Sequence, residues 1–301
     1  MPPTGSPRGK QKFGNLYPMT LKPLYLPGNI KPAYRLRYGW TGWTSSGDFP
    51  AIPSGGLAEL SDAWKRDAMR LLRHRIDGNQ IQMLFSTKPS VSPAFVAQRG
   101  KGRLDHYFRT SPIPVVFSRK VAVRSIGENT NEQVLHYIAR QVEKEPFVDP
   151  QFANRIAPFT KRFDDVDVNK PIEVKRGRYW YGLHLVLVTS ERYRFKQLDA
   201  FERIFRWCHA IARKKEYRLG AISVMPDHLH LCLVGTIEQS PEAIALSFQN
   251  NLAYAFDQTR IWEPTYYVGT VGAYDMGAVR RVRTDSLTGQ ARGGLHDPKA
   301  T

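Results

Sequence analysis

In Val224-Met225-Pro226-Asp227-His228-Leu229-His230-Leu231-Cys232-Leu233-Val234, two histidines stand one residue apart at the head of an apolar run. A β-strand alternates its side chains with a period of two, so His228 and His230 share one face and Leu229, Leu231 and Leu233 the other. Two imidazoles anchored in this way can grip a divalent cation, and a metal-activated phosphate is one target for such a site. The same pattern also serves packing or a solvated strand face, and the motif by itself does not decide between them.

The bulk of the chain narrows the partners. Its 301 residues suffice for two modest domains, each with its own core. Lys and Arg number 44 against 27 Asp and Glu, a net charge of +17, and 42% of residues are apolar. A globular protein with a polyanion partner fits, because each neutralised phosphate releases condensed counterions. Cys208 and Cys232 are too few for a disulfide framework or a cysteine-based zinc site and suit a reducing cytosol. Residues 1–32 are rich in Pro, Gly and Lys without the apolar segment of a secretion signal. No run of about twenty apolar residues marks a membrane span.

The elements that must hold the histidines follow from periodicity. Residues 1–32 read as a basic flexible arm. Alternation predicts strands over Tyr34–Trp43 and Gln80–Phe85, with shorter ones at Val115–Phe117 and Val121–Val123. Helical spacing covers Leu60–His74 and Asn131–Glu145, and Ser92-Pro93 opens another helix reaching about Phe108, with Ser as N-cap and Pro at the first position. Residues 147–177, cut by prolines, read as a connector. Beyond it come strands at Tyr181–Thr189, Leu219–Val224 and Asp227–Val234, and helices at Leu198–Lys214 and from Ser240-Pro241 to about Phe256. A short strand at Tyr266–Val271 and a last helix over Asp275–Arg283 precede a tail without periodicity.

This order occurs twice. At an offset of 148 residues, Ser92-Pro93 falls on Ser240-Pro241, Leu104 on Leu252 and Phe108 on Phe256. Under the same offset Gln80 falls on His228 and Gln82 on His230. After a three-residue adjustment, Ile126-Gly127 falls on Val271-Gly272, Val134 on Val279, Tyr137 on Val282 and Gln141 on Ser286. A repeat of this size implies two copies of one fold about a pseudo-twofold axis, over residues 33–146 and 178–285, with a tail at 286–301. The differences between the copies are complementary. The first has Tyr137 and Gln141, four apart on one helical face, but glutamines in the histidine positions. The second has the histidines and lacks both helix residues. Together they hold one complete set.

The second copy resembles the single-tyrosine HUH transposases, the enzymes of insertion sequences that move as single-stranded DNA, and their relatives associated with repetitive extragenic palindromes. The resemblance rests on Leu183-His184-Leu185-Val186-Leu187-Val188-Thr189, Met225-Pro226-Asp227-His228-Leu229-His230-Leu231, Ser240-Pro241 and Tyr267-Val268-Gly269-Thr270-Val271-Gly272. In the first copy, Tyr137-Ile138-Ala139-Arg140-Gln141 is similar to the family's Tyr-x-x-x-Gln. The resemblance implies an α/β (α+β) fold of two ferredoxin-like domains with antiparallel sheets. It also implies a homodimer in which the last helix of one subunit serves the histidines of the other, so this chain resembles a fused dimer acting as a monomer. On that basis His228, His230 and Gln141 would bind Mg²⁺ or Mn²⁺, Tyr137 would be the nucleophile, and the site at Gln80, Gln82 and Val282 would be dead.

The activity so implied is a DNA single-strand nickase and strand transferase acting on hairpin-bearing single-stranded DNA through a 5′-phosphotyrosine, in a bacterial-type cytoplasm at the nucleoid. A tyrosine hydroxyl ordinarily ionises near pH 10, so the nucleophile needs a base, and His184 is one candidate beside its reading as a packed strand residue. Lys101, Arg103, Arg119, Lys120, Arg124, Arg280, Arg281 and Arg283 are the candidate phosphate contacts, and Tyr38, Trp40 and Trp43 are candidates for stacking on bases or for the core. The competing readings are a domesticated, non-cleaving binder of structured DNA or RNA, and a rolling-circle initiator or relaxase, which usually carries a larger domain or a helicase.

Overall fold

The computed structural model describes residues 22–273. The first half contains β1 (Ala33–Arg35), β2 (Arg37–Thr44), α1 (Ser54–Arg66), β3 (Met69–Asp77), β4 (Gln80–Thr87), α2 (Pro93–Arg109), β5 (Phe117–Ser125) and α3 (Asn131–Ala139). Then come α4 (Gln141–Lys144), α5 (Pro150–Ile156), β6 (Thr160–Arg162), β7 (Ile172–Val174) and β8 (Gly177–Trp180). The second half contains β9 (Gly182–Val188), α6 (Leu198–Lys214), β10 (Arg218–Val224), β11 (His228–Val234), α7 (Pro241–Ala255) and β12 (Tyr267–Val271).

Each half is a βαββαβ unit. The sheets run β3-β4-β2-β5-β8-β7 and β1-β12-β9-β11-β10-β6, so the four strands of each half follow the same order, β3-β4-β2-β5 and β10-β11-β9-β12. This is the ferredoxin-like α/β arrangement, twice, with antiparallel pairing inside each unit. The matching helix starts are built alike: Ser92 Oγ accepts from Phe95 N–H and Ser240 Oγ from Ala243 N–H, both at 3.2 Å. Leu104 and Leu252, paired by the repeat, are both fully buried on these helices.

The halves exchange strands reciprocally. β1 adds in parallel to β12 of the other half, and β8 adds in parallel to β5. Where the chains cross, Ser125 Oγ donates to Val271 O (2.7 Å) and accepts from Gly182 N–H (3.0 Å). Thr270 Oγ1 repeats the pattern with donation to Ile126 O (2.6 Å) and acceptance from Arg37 N–H (3.0 Å). Gly127 N–H donates to Gly272 O at 2.9 Å, joining two glycines that the repeat made equivalent. Gly272 has φ +141° and Gly127 lies against backbone, so both positions require glycine.

Several segments differ from expectation. The strand expected over Tyr34–Trp43 divides at Leu36 into β1 and β2, and those expected at Val115–Phe117 and Val121–Val123 give way to the single strand β5. The helix expected over Leu60–His74 stops at Arg66; Ala68 takes a left-handed φ of 60° and Met69–Asp77 form β3. Its arginines satisfy a partly solvated edge strand as readily as a helix. The helix expected through Glu145 breaks at Arg140. There the Gln141 side-chain amide donates to Tyr137 O (2.9 Å), the carbonyl that its backbone N–H would take in a continuous helix. The connector supplies α5, β6 and β7, because three-residue strands need an edge to pair with rather than a period of their own. Within the arm, Tyr25 is buried, its hydroxyl bonded to both Trp262 O and N–H, and its backbone bonded to Asn250. Residues 1–21, the expected helix over Asp275–Arg283 and the tail lie outside the described residues.

Candidate active site

β11 carries His228 and His230 on one face while Leu229, Leu231 and Leu233 are wholly buried on the other, against α6 and α7. The histidine face is crossed by α3, which comes from the first half and packs on β6, β10 and β11. Val134, Leu135 and Ile138 of α3 close over Ala221, Cys232, Val234 and Val271 as a separate small core. Thr130 caps α3 through a capping box with Gln133. The apolar seat and the cap fix how far along the sheet the helix reaches, and its last turn brings Tyr137 to the histidines.

The Tyr137 ring lies 5.6 Å from the ring of His230 and 6.1 Å from that of His184, edge-on to both. Tyr137 remains 40% exposed, enough for a substrate to reach its hydroxyl. The His228 and His230 rings are 4.9 Å apart. His228 Nδ1 pairs with Asp227 Oδ1 at 2.7 Å, and His230 Nδ1 with His184 Nε2 at 3.1 Å. Burial pushes His184 down to about 4, and burial followed by the two neighbouring histidines holds His230 well below its ordinary range. Burial alone would raise Asp227, but the bond to His228 and the charges of His228, Arg192 and Arg194 hold it low, so it stays a carboxylate.

These groups fit a divalent cation by donor type. Cation ligation needs unprotonated imidazole nitrogens, and with both Nδ1 atoms engaged, His228 and His230 have Nε2 to offer. Gln141 is buried and spends its amide N–H on Tyr137 O, so the donor type left to it is its carbonyl oxygen. Among the described residues, no three His, Cys, Asp or Glu side chains are grouped to hold a metal on their own. Lys144, seven residues beyond Tyr137, sets its ammonium 4.6 Å from the Tyr137 ring centroid. Lys144 and Asp227 were not singled out as site residues from the sequence. The spacing of seven along a helix face would have found the lysine.

Among the described residues, the first half has no such constellation. Gln80 Oε1 accepts from Trp43 Nε1 (3.1 Å), and Gln82 is buried. By strand register the counterpart of His184 is Gly39, and that of Tyr267 is Ala122.

The charged candidates are scattered. Lys101 Nζ donates to Ser118 O (2.8 Å) and Arg103 holds Asp67 with two bonds (3.0 and 3.1 Å), so both serve the first half's own structure. Arg119 and Lys120 are exposed on β5, and Arg124 lies 4.3 Å over the Trp180 ring. Arg280, Arg281 and Arg283 fall outside the described residues. Tyr38 and Trp40 are fully buried and therefore core, not stacking platforms, whereas Trp43 is half-buried. Among the described residues, no helix is long and apolar enough to cross a membrane.

Residues 178–282 match the family described as IS200-like transposase. The ISDra2 transposase TnpA of Deinococcus radiodurans is 30% identical over 118 residues, an alignment covering 34% of this chain and 82% of the relative. The chain belongs to the IS200-like transposase family. A crystal structure of a candidate transposase from Deinococcus radiodurans is 22% identical with a TM-score of 0.30, over 38% of this chain and 95% of that one. The family match lies on the half that carries the histidines, and Tyr137 lies outside it.

Proposed function

We propose that this IS200-like transposase is a single-strand DNA endonuclease and strand transferase with one composite active site. Tyr137 of the first half would attack a phosphodiester held at His228 and His230 of the second. The observation that carries the reading is the 5.6 Å approach of the Tyr137 and His230 rings across the two halves. Membership of a transposase family and the chain's +17 charge support a DNA substrate, which in this reading is single-stranded and bears a hairpin.

Tyr137 Oη forms a bond to phosphorus as the 3′ oxygen leaves and takes up a proton, giving a 5′-phosphotyrosine and a free 3′-hydroxyl. The phosphodiester's energy is kept in the new bond, so attack by a 3′-hydroxyl rejoins or redirects the strand without ATP. Mg²⁺ or Mn²⁺ held by His228, His230 and Gln141 would polarise a non-bridging phosphate oxygen. Asp227 and His184 orient the two imidazoles, Gln141 ties its helix start to the Tyr137 carbonyl, and Lys144 places positive charge where the phosphate must lie. His184, pushed down to about 4 and bonded to His230, is a weak base and a poor choice to take the tyrosine proton.

The test is incubation of 3′-labelled hairpin single-stranded DNA with the protein and Mn²⁺, followed by denaturation. Wild type should give a denaturation-resistant adduct, Tyr137→Phe none, and Tyr254→Phe and Tyr267→Phe wild-type amounts. Tyr267 is the demanding control, because its ring stands 5.9 Å from that of His184. Equal capture by Tyr137→Phe would overturn the composite site, and binding without any wild-type adduct would leave a non-cleaving DNA or RNA binder.

A further inference from the structure

We propose that His184 is a positioning residue: its Nε2 accepts the Nδ1–H of His230 and so fixes His230 in the tautomer whose Nε2 lone pair is free for a cation. The inference rests on the cation-binding role proposed above for His228 and His230.

The geometry is specific. His184 stands on β9, opposite Cys232 in register and therefore diagonal to His230 on the same sheet face. The two rings are nearly parallel, 22° apart at 5.3 Å, with His184 Nε2 and His230 Nδ1 separated by 3.1 Å. His230 is buried and His184 half-buried, and at 3.1 Å the two ring nitrogens are within hydrogen-bond reach, so one hydrogen lies between them. If His184 donated it, His230 would carry its own proton on Nε2 and could not ligate through that atom. If His230 donates it, the Nε2 lone pair is exposed. Asp227 imposes the same state on His228, since a carboxylate can only accept. The two ligands would then be oriented by two different acceptors, one anionic and one neutral.

The repeat supplies an independent observation. In the first half, Gln82 replaces His230 and Gly39 replaces His184. A histidine needed only to fill space in the fold would have no reason to vanish together with the pair, whereas a partner of the pair would.

The experiment is a long-range ¹H–¹⁵N imidazole correlation spectrum of the metal-free, full-length protein. Wild type should show His230 protonated at Nδ1 and bare at Nε2. His184→Gln, which keeps an acceptor, should retain that state. His184→Leu should release His230 to an Nε2–H or mixed population. In parallel, Mn²⁺ affinity by calorimetry should fall about 10- to 100-fold in His184→Leu and much less in His184→Gln. An Nε2–H His230 in wild type, or a His184→Leu protein with unchanged tautomer and Mn²⁺ affinity, would overturn the proposal. If wild type binds no Mn²⁺, the cation site itself fails, and the spectra still decide separately whether His184 sets the tautomer. Should His184→Leu not fold, the wild-type and His184→Gln spectra retain the power to refute.

Discussion

Gly127 stands at the neck where the chain leaves β5 for α3 and carries Tyr137 across to the other half. A Cβ added there would lie 2.4 Å from Thr270 O, 2.9 Å from Asn129 O and 3.0 Å from Val271 Cα, all backbone atoms. Ordinary contact starts at 3.4 Å, so Gly127→Ala must part the two strand ends by about 1 Å. Overpacking of this kind costs about 1–3 kcal/mol, which for a chain of this size lowers Tm by several degrees. The larger effect should be on chemistry. A displacement of about 1 Å in a reacting group can cost about a hundredfold in rate, and α3 carries Tyr137, the proposed nucleophile. The assay is the rate of adduct formation on hairpin DNA, at a temperature where circular dichroism shows the variant folded. Ser125→Ala is the comparison. It strips the Gly182 N–H and Val271 O of a partner at a cost of about 1–3 kcal/mol without wedging the strands apart. Gly127→Ala should therefore lose far more activity than Ser125→Ala at similar loss of stability. If both lose activity only in step with stability, the neck does not position Tyr137.

Lys144→Ala should slow adduct formation about fivefold at low salt and less at high salt, because a nearby exposed cation contributes a screened attraction to phosphate. Cys208 and Cys232 are both buried, with thiols pushed up by burial, so neither should alkylate in the native protein. Cys232 lies in the small core under α3 and should become reactive first when that helix lifts, as in Gly127→Ala, while Cys208 stays protected on α6; mass spectrometry of the alkylated peptides separates the two. With one histidine pair per chain, labelled hairpin DNA should saturate at one adduct per chain; two adducts would reveal a second working site.

What could be read from the sequence was local or repeated. The alternation of His228-Leu229-His230 and the Ser-Pro helix starts are short-range patterns, and each stands in the structure as expected. The repeat made the pairing of Tyr137 with the histidines legible, since two incomplete copies summed to one set of residues. The non-local features were hidden. β1 and β8 have three or four residues each, too few for a period, and they exist because the opposite half offers them an edge. Alternation told which of Tyr38, Trp40 and Trp43 share strands with polar neighbours, but not which face a helix would cover, so it left core and stacking open for residues of which two proved to be core. The bond between His230 and His184 depends on β9 lying beside β11, a neighbour relation that neither strand encodes alone.

The two halves have diverged unevenly, and the structure gives a physical reason. The crossing of Ser125 with Thr270 is nearly symmetric because both half-crossings bind the same β5 and β12 ends, and damage to either would part them both. The first half's positions equivalent to the histidine pair carry no such obligation. Gln80 stands in the place of His228 and its carbonyl takes the Trp43 indole N–H, so the exchange leaves that polar group bonded and the sheet intact. Chemistry can thus be lost from one face at little cost to folding, while the neck that hands Tyr137 across cannot be lost without losing the remaining site as well. Residues that build the crossing should accordingly tolerate less substitution than the glutamines of the first sheet, even though the glutamines occupy the positions that the histidine pair takes in the other half.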